Sequence, residues 1–259
     1  MAVTSNLVGK VKKAWLNKPL KQDKLMPGYK MKNFDIGYQF MPKTGSTSIK
    51  RFLYEVETGR RYDKKANELH VHKWSVNNRQ SDISDCQHRF IIIRDPVERL
   101  MSAYNNKVVQ RSMLSKQSLS TMKGVDPKKI PHFYPSFDTF IIYLDKFRLV
   151  STINHHTKSI RKLIRKRDLS HYTDIVKFEE LDTFAQRINA LTGSNVPLGH
   201  HQASHHTTDK QAHVKKASLD KLTGHQLRTI IGMFKDDYAL LKDYYTPEDI
   251  IEKWSETRA

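Results

Sequence analysis

The residues with the clearest chemical potential lie in one short loop, Pro42-Lys43-Thr44-Gly45-Ser46-Thr47-Ser48. A single lysine stands among small and hydroxyl-bearing residues, after an apolar strand-like run and before a segment with helical character. Free N–H groups at a helix N-terminus, together with the helix dipole, favour a bound phosphate. The Walker A motif places its lysine after a second glycine, whereas Lys43 precedes the only glycine of this loop. The loop therefore predicts a phosphate site that differs from that of an ATPase.

Arg94 and Ser102 form a second candidate phosphate site. They belong to the segment Arg94-Asp95-Pro96-Val97-Glu98-Arg99-Leu100-Met101-Ser102-Ala103-Tyr104, which follows the apolar run His88–Ile93. The run predicts a buried strand, and Pro96 favours the first turn of a helix. Arg94 would then lie at the carboxyl end of a strand, where open α/β sheets bind ligands. A guanidinium fork, with a hydroxyl two helical turns further on, can hold a phosphate.

Together these two segments resemble the PAPS-dependent carbohydrate sulfotransferases, and most closely the heparan/uronosyl 2-O-sulfotransferases. In that family a Pro-Lys-Thr-Gly/Ala-x-Thr-Ser loop binds the 5′-phosphosulfate of the donor. An Arg-Asp-Pro-x-x-Arg-x-x-Ser-x-Tyr segment binds its 3′-phosphate. Both patterns are present here, in the same order, and the resemblance continues more loosely to about Tyr245. It implies PAPS as cofactor, PAP as product, a carbohydrate acceptor and no metal.

The resemblance also implies roles for individual residues. The donor would be held by residues of both motifs and by one serine further along the chain: Lys43, Thr44, Gly45, Ser46, Thr47, Ser48, Arg94, Ser102 and Ser204. Lys43 would also be catalytic, because negative charge grows on the leaving phosphate and a cation beside the bridging oxygen stabilises it. Asn154, His156 and His205 would contact the acceptor.

The acceptor hydroxyl needs a base, and histidine is the usual choice near neutral pH. His70 and His72 are two residues apart, so on an extended segment both side chains face the same way. The resemblance favours His72, then His70, because the 2-O-sulfotransferases carry a His-x-His containing the base before their second phosphate motif. A structural or surface role for both histidines stays open, and Glu55 and Glu68 are weaker candidates for the base.

A second group of histidines, His200, His201, His205 and His206, suggests a metal site at first sight. No His-Glu-x-x-His pattern and no set of cysteines accompanies them, so we expect no metal. A loop that contacts the donor or the acceptor is the preferred interpretation.

Strands that alternate with helices predict an α/β fold: a single domain with a central parallel sheet flanked by helices and a P-loop-like strand-loop-helix. The chain has 259 residues, enough for one full core, and we place a basic lead-in at 1–32 and the sulfotransferase domain at 33–250. Predicted strands are Phe34–Phe40, His88–Ile93 and Asp174–Phe178. Predicted helices are Ser48–Val56, one from Pro96, Phe137–Leu149, Ile153–Arg167, Glu180–Leu191 and Leu219–Tyr245. Arg111–Pro135 and Gly193–Lys215 are expected to be irregular.

The net charge of +18 needs a reason. Nucleic-acid binding and a solubilising surface are two explanations. A polyanionic cofactor and an acceptor that includes acidic sugars suit the motifs better, so no nucleic acid is expected. The run Arg161–Arg167 is either one wall of such a site or a solvated helix face. A P-loop-type nucleotide kinase and a basic nucleic-acid-binding protein without catalysis are the alternative functions.

Three features of the sequence bear on where the protein is located. Cys86 is the only cysteine, which excludes an intrachain disulfide. Residues Met1 to Lys24 are polar and basic and lack the apolar core of a signal peptide. No stretch approaches the roughly 20 apolar residues of a membrane helix. The expected location is therefore the cytoplasm, and the sequence does not indicate an oligomeric state.

Overall fold

A computed structural model of the chain describes residues 27–63, 71, 81–165, 168–199 and 214–258. Its centre is a five-stranded sheet with the strand order β3-β1-β2-β4-β5. The strands are β1 (Pro27–Lys30), β2 (Ile36–Gln39), β3 (Ser81–Asp82), β4 (His88–Ile93) and β5 (Asp174–Lys177). β2, β4 and β5 run parallel, whereas β1 is antiparallel to both of its neighbours.

The sheet is therefore mixed, and the prediction of a parallel sheet holds only for its three-stranded half. β1 and β3 were not predicted, because four residues and two residues are too short to show an alternating apolar pattern. β1 also precedes the predicted domain boundary at residue 33 and belongs to the sheet through its pairing with β2. The three parallel strands carry the α/β character of the fold, which confirms the predicted class.

Eleven α-helices surround the sheet in the described ranges. They are α1 (Ser46–Thr58), α2 (Pro96–Tyr104), α3 (Lys116–Thr121), α4 (Phe137–Ile142), α5 (Leu144–Phe147), α6 (Ser151–Thr157), α7 (Ile160–Leu163), α8 (Leu181–Thr192), α9 (Gly224–Met233), α10 (Lys235–Leu241) and α11 (Pro247–Glu256). A π-helical turn, Asn105–Gln110, continues α2. No helix in these ranges has the length and apolar character needed to cross a membrane.

Several predicted helices are shorter than the sequence indicates. The one expected over Phe137–Leu149 is divided at Tyr143, whose φ of −106° and ψ of 20° are not helical. The last long helix is divided in the same way at Phe234, with a φ of −113° and a ψ of 22°. The segment expected to be irregular after Arg111 contains α3 and buries Leu119 fully. Apolar periodicity survives these local breaks, so the sequence alone does not reveal them.

The core lies on both faces of the sheet, as a central strand of this kind requires. On β4, Phe90 and Ile92 join a cluster with residues of α1 and α8, while Ile91 and Ile93 join a larger cluster with α2. All four side chains are fully buried. This layering brings α1 and α2 to opposite faces of the sheet, each starting from the carboxyl end of a parallel strand.

Candidate functional site

The turn between β2 and α1 carries Lys43 in an unusual conformation. Lys43 has a φ of 72° and Gly45 a φ of 73°, both in the left-handed region. A Cβ at Gly45 would lie 3.2 Å from Leu181 Cδ1 and 3.5 Å from Phe178 Cε2, so glycine also provides space. Lys43 has a side chain and lacks this freedom. A strained non-glycine residue of this kind is held by its surroundings and is typical of functional sites.

The N-terminus of α1 has no side-chain cap. Its N-cap, Gly45, has no side chain with which to cap the first turn, and no acidic residue follows in that turn. The start of α2 differs, because the Asp95 carboxylate accepts hydrogen bonds from the N–H groups of Val97 (2.8 Å) and Glu98 (3.1 Å). An anion is therefore favoured at the start of α1.

The hydroxyl-bearing residues of the turn differ in what they can offer. Thr44 is fully buried, and its hydroxyl donates to the Met41 carbonyl oxygen at 2.9 Å, which stabilises the turn itself. Ser46, Thr47 and Ser48 lie in the first turn of α1, and of these Thr47 is buried. The predicted residues of the first motif therefore surround the N-terminus of one helix.

Arg94 joins the two sequence motifs. Its Nη1 donates a hydrogen bond to the carbonyl oxygen of Lys43 at 3.3 Å. The guanidinium lies 4.2 Å from the centre of the Phe178 ring, within the range of a cation–π contact. Its Nε is 3.5 Å from Glu98 Oε2 but makes no hydrogen bond with any described residue. Because β2 and β4 are parallel neighbours, their carboxyl ends place Arg94 beside Lys43.

Asp95 and Arg99 of the second motif fix α2 rather than reach a ligand. Asp95 caps the helix and also accepts a hydrogen bond from the Tyr238 hydroxyl at 2.8 Å; burial raises its pKa to about 6. Arg99 is fully buried, with Nη2 3.8 Å from Asp237 and 2.5 Å from the carbonyl oxygen of Lys158. Ser102 is half-buried on the same helix. Ser102 thus lies on a helix that is anchored to the core, and Arg94 directly precedes the N-cap of that helix.

A cluster of cations surrounds Lys43. Burial lowers the pKa of Lys43 to about 7, and the charges of Lys107, Arg94 and Arg111 lower it further. Lys107 lies in the π-helical turn, is 8% exposed, and has a pKa lowered to about 8 by burial and by Arg111. The sequence motifs did not single out Lys107 or Arg111. The site therefore carries more positive charge than the two motifs supply.

Lys50 is another buried lysine that the sequence analysis missed. It follows the first turn of α1, and its Nζ lies 4.1 Å from the centre of the Phe40 ring. Burial lowers its pKa to about 8. The apolar positions of α1 gave no signal for it, because a lysine within an amphipathic helix usually faces solvent.

His156 on α6 belongs to the same cluster. Burial lowers its pKa to about 2, with further lowering by Lys107, His155, Lys43 and Arg111, so the ring is neutral at physiological pH. Its Nδ1 is buried and has no hydrogen-bond partner among the described residues. Asn154, on the same helix, is exposed. A neutral imidazole beside several cations can accept a proton or a hydrogen bond once an anion is bound.

Four predicted site residues, His70, His72, Ser204 and His205, lie outside the described residues. Val71, between the two histidines, is fully buried, and its N–H donates to the Tyr62 hydroxyl at 2.9 Å. In the part of the chain that the structure describes, no three histidine, cysteine or acidic residues are arranged to hold a metal ion.

Comparison with known proteins identifies the family of this chain. Carbohydrate sulfotransferase 11 of Rattus norvegicus and that of Mus musculus are each 25% identical to it over 184 residues, which are 60% of this chain and 50% of theirs. Carbohydrate sulfotransferase 11 of Danio rerio is 25% identical over 240 residues, which are 81% of this chain and 64% of that relative. The chain thus spans about half to two thirds of the length of these relatives. No solved structure matches it significantly.

These matches leave two narrower predictions without support. The likeness to the heparan/uronosyl 2-O-sulfotransferases stays a prediction, and so does the cytoplasmic location. The family itself is clear, because the sequence model of the sulfotransferase family matches residues 31–245, most of the chain. The protein belongs to the sulfotransferase family.

Proposed function

We propose that this protein transfers the sulfuryl group of PAPS to a hydroxyl of a carbohydrate acceptor. One observation carries the proposal: Arg94 donates a hydrogen bond to the carbonyl oxygen of Lys43, so the two sequence motifs meet at one edge of the sheet. The curated relatives are carbohydrate sulfotransferases, which supports the acceptor class.

The donor has two phosphate-binding regions to occupy. The N–H groups at the start of α1, with residues Thr44–Ser48, bind the 5′-phosphosulfate, because this helix N-terminus lacks a capping side chain. Arg94 and Ser102 bind the 3′-phosphate. The Nε of Arg94 has no hydrogen-bond partner among the described residues, which leaves a donor of the guanidinium for the 3′-phosphate. The family resemblance adds Ser204 as a further donor contact.

The reaction breaks the bond between sulfur and the bridging oxygen, and the electron pair stays on that oxygen to give PAP. The acceptor oxygen forms the new bond to sulfur, and its proton passes to a base. Lys43 stabilises the charge that grows on the bridging oxygen, as preorganised charges do in other enzymes that transfer a group. His72, then His70, is the proposed base. Asn154, His156 and His205 contact the acceptor.

The positive net charge of the protein favours negatively charged substrates. The net charge of +18 suits a polyanionic donor and acceptors that include acidic sugar chains. Nucleic acid is not among the proposed partners, and no metal takes part.

The test combines binding with transfer. Isothermal titration calorimetry should show that PAP binds and that ATP, which lacks the 3′-phosphate, binds much more weakly. Transfer of labelled sulfate from PAPS to a panel of neutral and acidic glycans should then identify an acceptor, with Lys43→Ala as the inactive control. Equal affinity for ATP and PAP would instead favour the P-loop kinase alternative. Binding of nucleic acid without binding of PAP would favour the non-catalytic alternative.

A further inference from the structure

Three cations at the site have no described carboxylate to neutralise them. Lys43, Lys107 and Arg111 make no ion pair within residues 27–63, 81–165, 168–199 and 214–258. Their charges act on one another, and Lys107 is the strongest charged neighbour of Lys43. Of the three, Lys107 is buried and Lys43 is half-buried, and a buried cation without a counter-ion is costly unless an anion completes the site.

Lys107 is buried in the segment that continues the helix after Arg94. It lies in the π-helical turn Asn105–Gln110 that extends α2, and it is 8% exposed. Long side chains on a helix lean toward its N-terminus, which here is the edge of the sheet that carries Arg94. π-helical turns within helices occur often at functional sites. The carbonyl oxygen of Lys107 accepts a hydrogen bond from the Met113 N–H at 2.9 Å, so the backbone of the turn is anchored.

The donor has three anionic groups, and the proposed function names no separate cation for the oxygens of the third, the sulfuryl group. The start of α1 binds the 5′-phosphate, and Arg94 with Ser102 binds the 3′-phosphate. The terminal sulfuryl group remains, and it is attached directly to the phosphate beside Lys43. Lys107 is 8% exposed, makes no ion pair with a described residue, and is used by neither phosphate.

Resting on the proposed function, we propose that Lys107 is a further catalytic residue, whose ammonium group binds the peripheral oxygens of the transferred sulfuryl group. Lys43 acts on the bridging oxygen, and Arg111 adds positive charge from the exposed side of the same turn. During transfer the sulfur–oxygen bond to PAP breaks and the bond to the acceptor oxygen forms. The sulfuryl oxygens keep their negative charge throughout, so Lys107 can hold them in line from donor to acceptor.

The experiment compares PAP with PAPS, because only PAPS carries the sulfuryl group. Affinities of both nucleotides are measured by calorimetry, without acceptor, for the wild type, Lys107→Met and Lys43→Met. The exposed Lys116→Met serves as the matched control. Lys107→Met should bind PAP within about twofold of the wild type but PAPS about tenfold or more weakly, as expected for the loss of a charged hydrogen bond. Lys116→Met should change neither affinity.

A second variant controls for folding. Lys107→Arg keeps the charge and should recover part of the preference for PAPS over PAP. Lys107→Met should melt at or above the wild-type temperature without ligand, because it removes a buried cation from among other cations. Equal weakening of PAP and PAPS, or no weakening of either, would overturn the role of Lys107. Failure of the wild type to bind PAP would instead contradict the proposed function itself.

Discussion

The side chain of Arg94 donates a hydrogen bond to the backbone carbonyl of Lys43, over a distance of 3.3 Å. The two residues are separated by fifty other positions in sequence, and they meet because β2 and β4 are parallel neighbours. The contact uses the backbone of Lys43 and leaves its ammonium group available. One arginine thereby supports the strained turn, and in the proposed function the same arginine also binds the donor.

Loss of Arg94 should weaken donor binding more than loss of Ser102. Arg94→Ala removes a bidentate charged contact, and the affinity for PAP should fall by about 1.5–3 kcal/mol. Ser102→Ala removes a single neutral donor and should cost about 0.5–1.5 kcal/mol. Calorimetry with PAP measures both, and the exposed Arg228→Ala provides the control. Unchanged affinity in a folded Arg94→Ala variant would show that the second motif is structural only.

The affinity for PAPS should depend on pH through Lys43. In the free protein its pKa is lowered to about 7, and a bound anion raises that pKa toward its ordinary value. Binding therefore takes up a proton above about pH 7, and affinity should fall as pH rises from 7 to 9, by up to about tenfold per pH unit. Below pH 7 Lys43 is already protonated and contributes no dependence.

Calorimetry in buffers of different ionisation enthalpy counts the protons directly. Lys107 has a pKa lowered to about 8 and adds to the uptake, so Lys43→Met should reduce the count without abolishing it. An identical proton count for the wild type and Lys43→Met would contradict the assignment of Lys43.

Two glycines at the ends of α1 provide a matched pair. Gly45 and Gly59 both have left-handed φ values, 73° and 65°, but only Gly45 is packed against Leu181. Gly59→Ala should lower the free energy of unfolding by about 1–2 kcal/mol, the cost of a Cβ in this conformation. Gly45→Ala should cost more and should also weaken PAP binding, because it disturbs the start of α1. Urea unfolding and calorimetry test both effects, and equal behaviour of the two variants would count against a special role for Gly45.

His72→Ala should largely abolish transfer while PAP binding stays nearly intact. A general base contributes about 100- to 10,000-fold in rate, and the cofactor is held by other residues. Initial rates with labelled PAPS measure this, with His70→Ala and His156→Ala in parallel. If both His70→Ala and His72→Ala transfer sulfate at wild-type rates, His156 becomes the leading candidate for the base.

The sequence was most informative where a motif and an element boundary coincide. Pro96 and the apolar run before Arg94 predicted the junction of β4 and α2, and the structure confirms it. The first motif likewise lies where the sequence indicated, between β2 and α1. Such junctions can be predicted because strand hydrophobicity, helix capping and parallel pairing all depend on local residues.

Positions that depend on tertiary packing could not be predicted from the sequence. A continuous α-helix would put Lys107 about 140° away from Ser102, and the π-helical turn changes that angle. The antiparallel strand β1 depends on its pairing with Tyr38 and its neighbours rather than on its own four residues. The buried Lys50 is likewise explained by its contact with the Phe40 ring and by no pattern along α1.

The position of Phe178 indicates that the proposed donor site needs more of the chain than the two sequence motifs. Its ring stacks on Arg94, and it lies 3.5 Å from where a Cβ at Gly45 would stand, so it contacts both motifs from the end of β5. A fragment that contained only the two motifs would therefore lack the aromatic ring that packs against both of them. The third parallel strand, although it carries neither motif, therefore contributes to the proposed donor site.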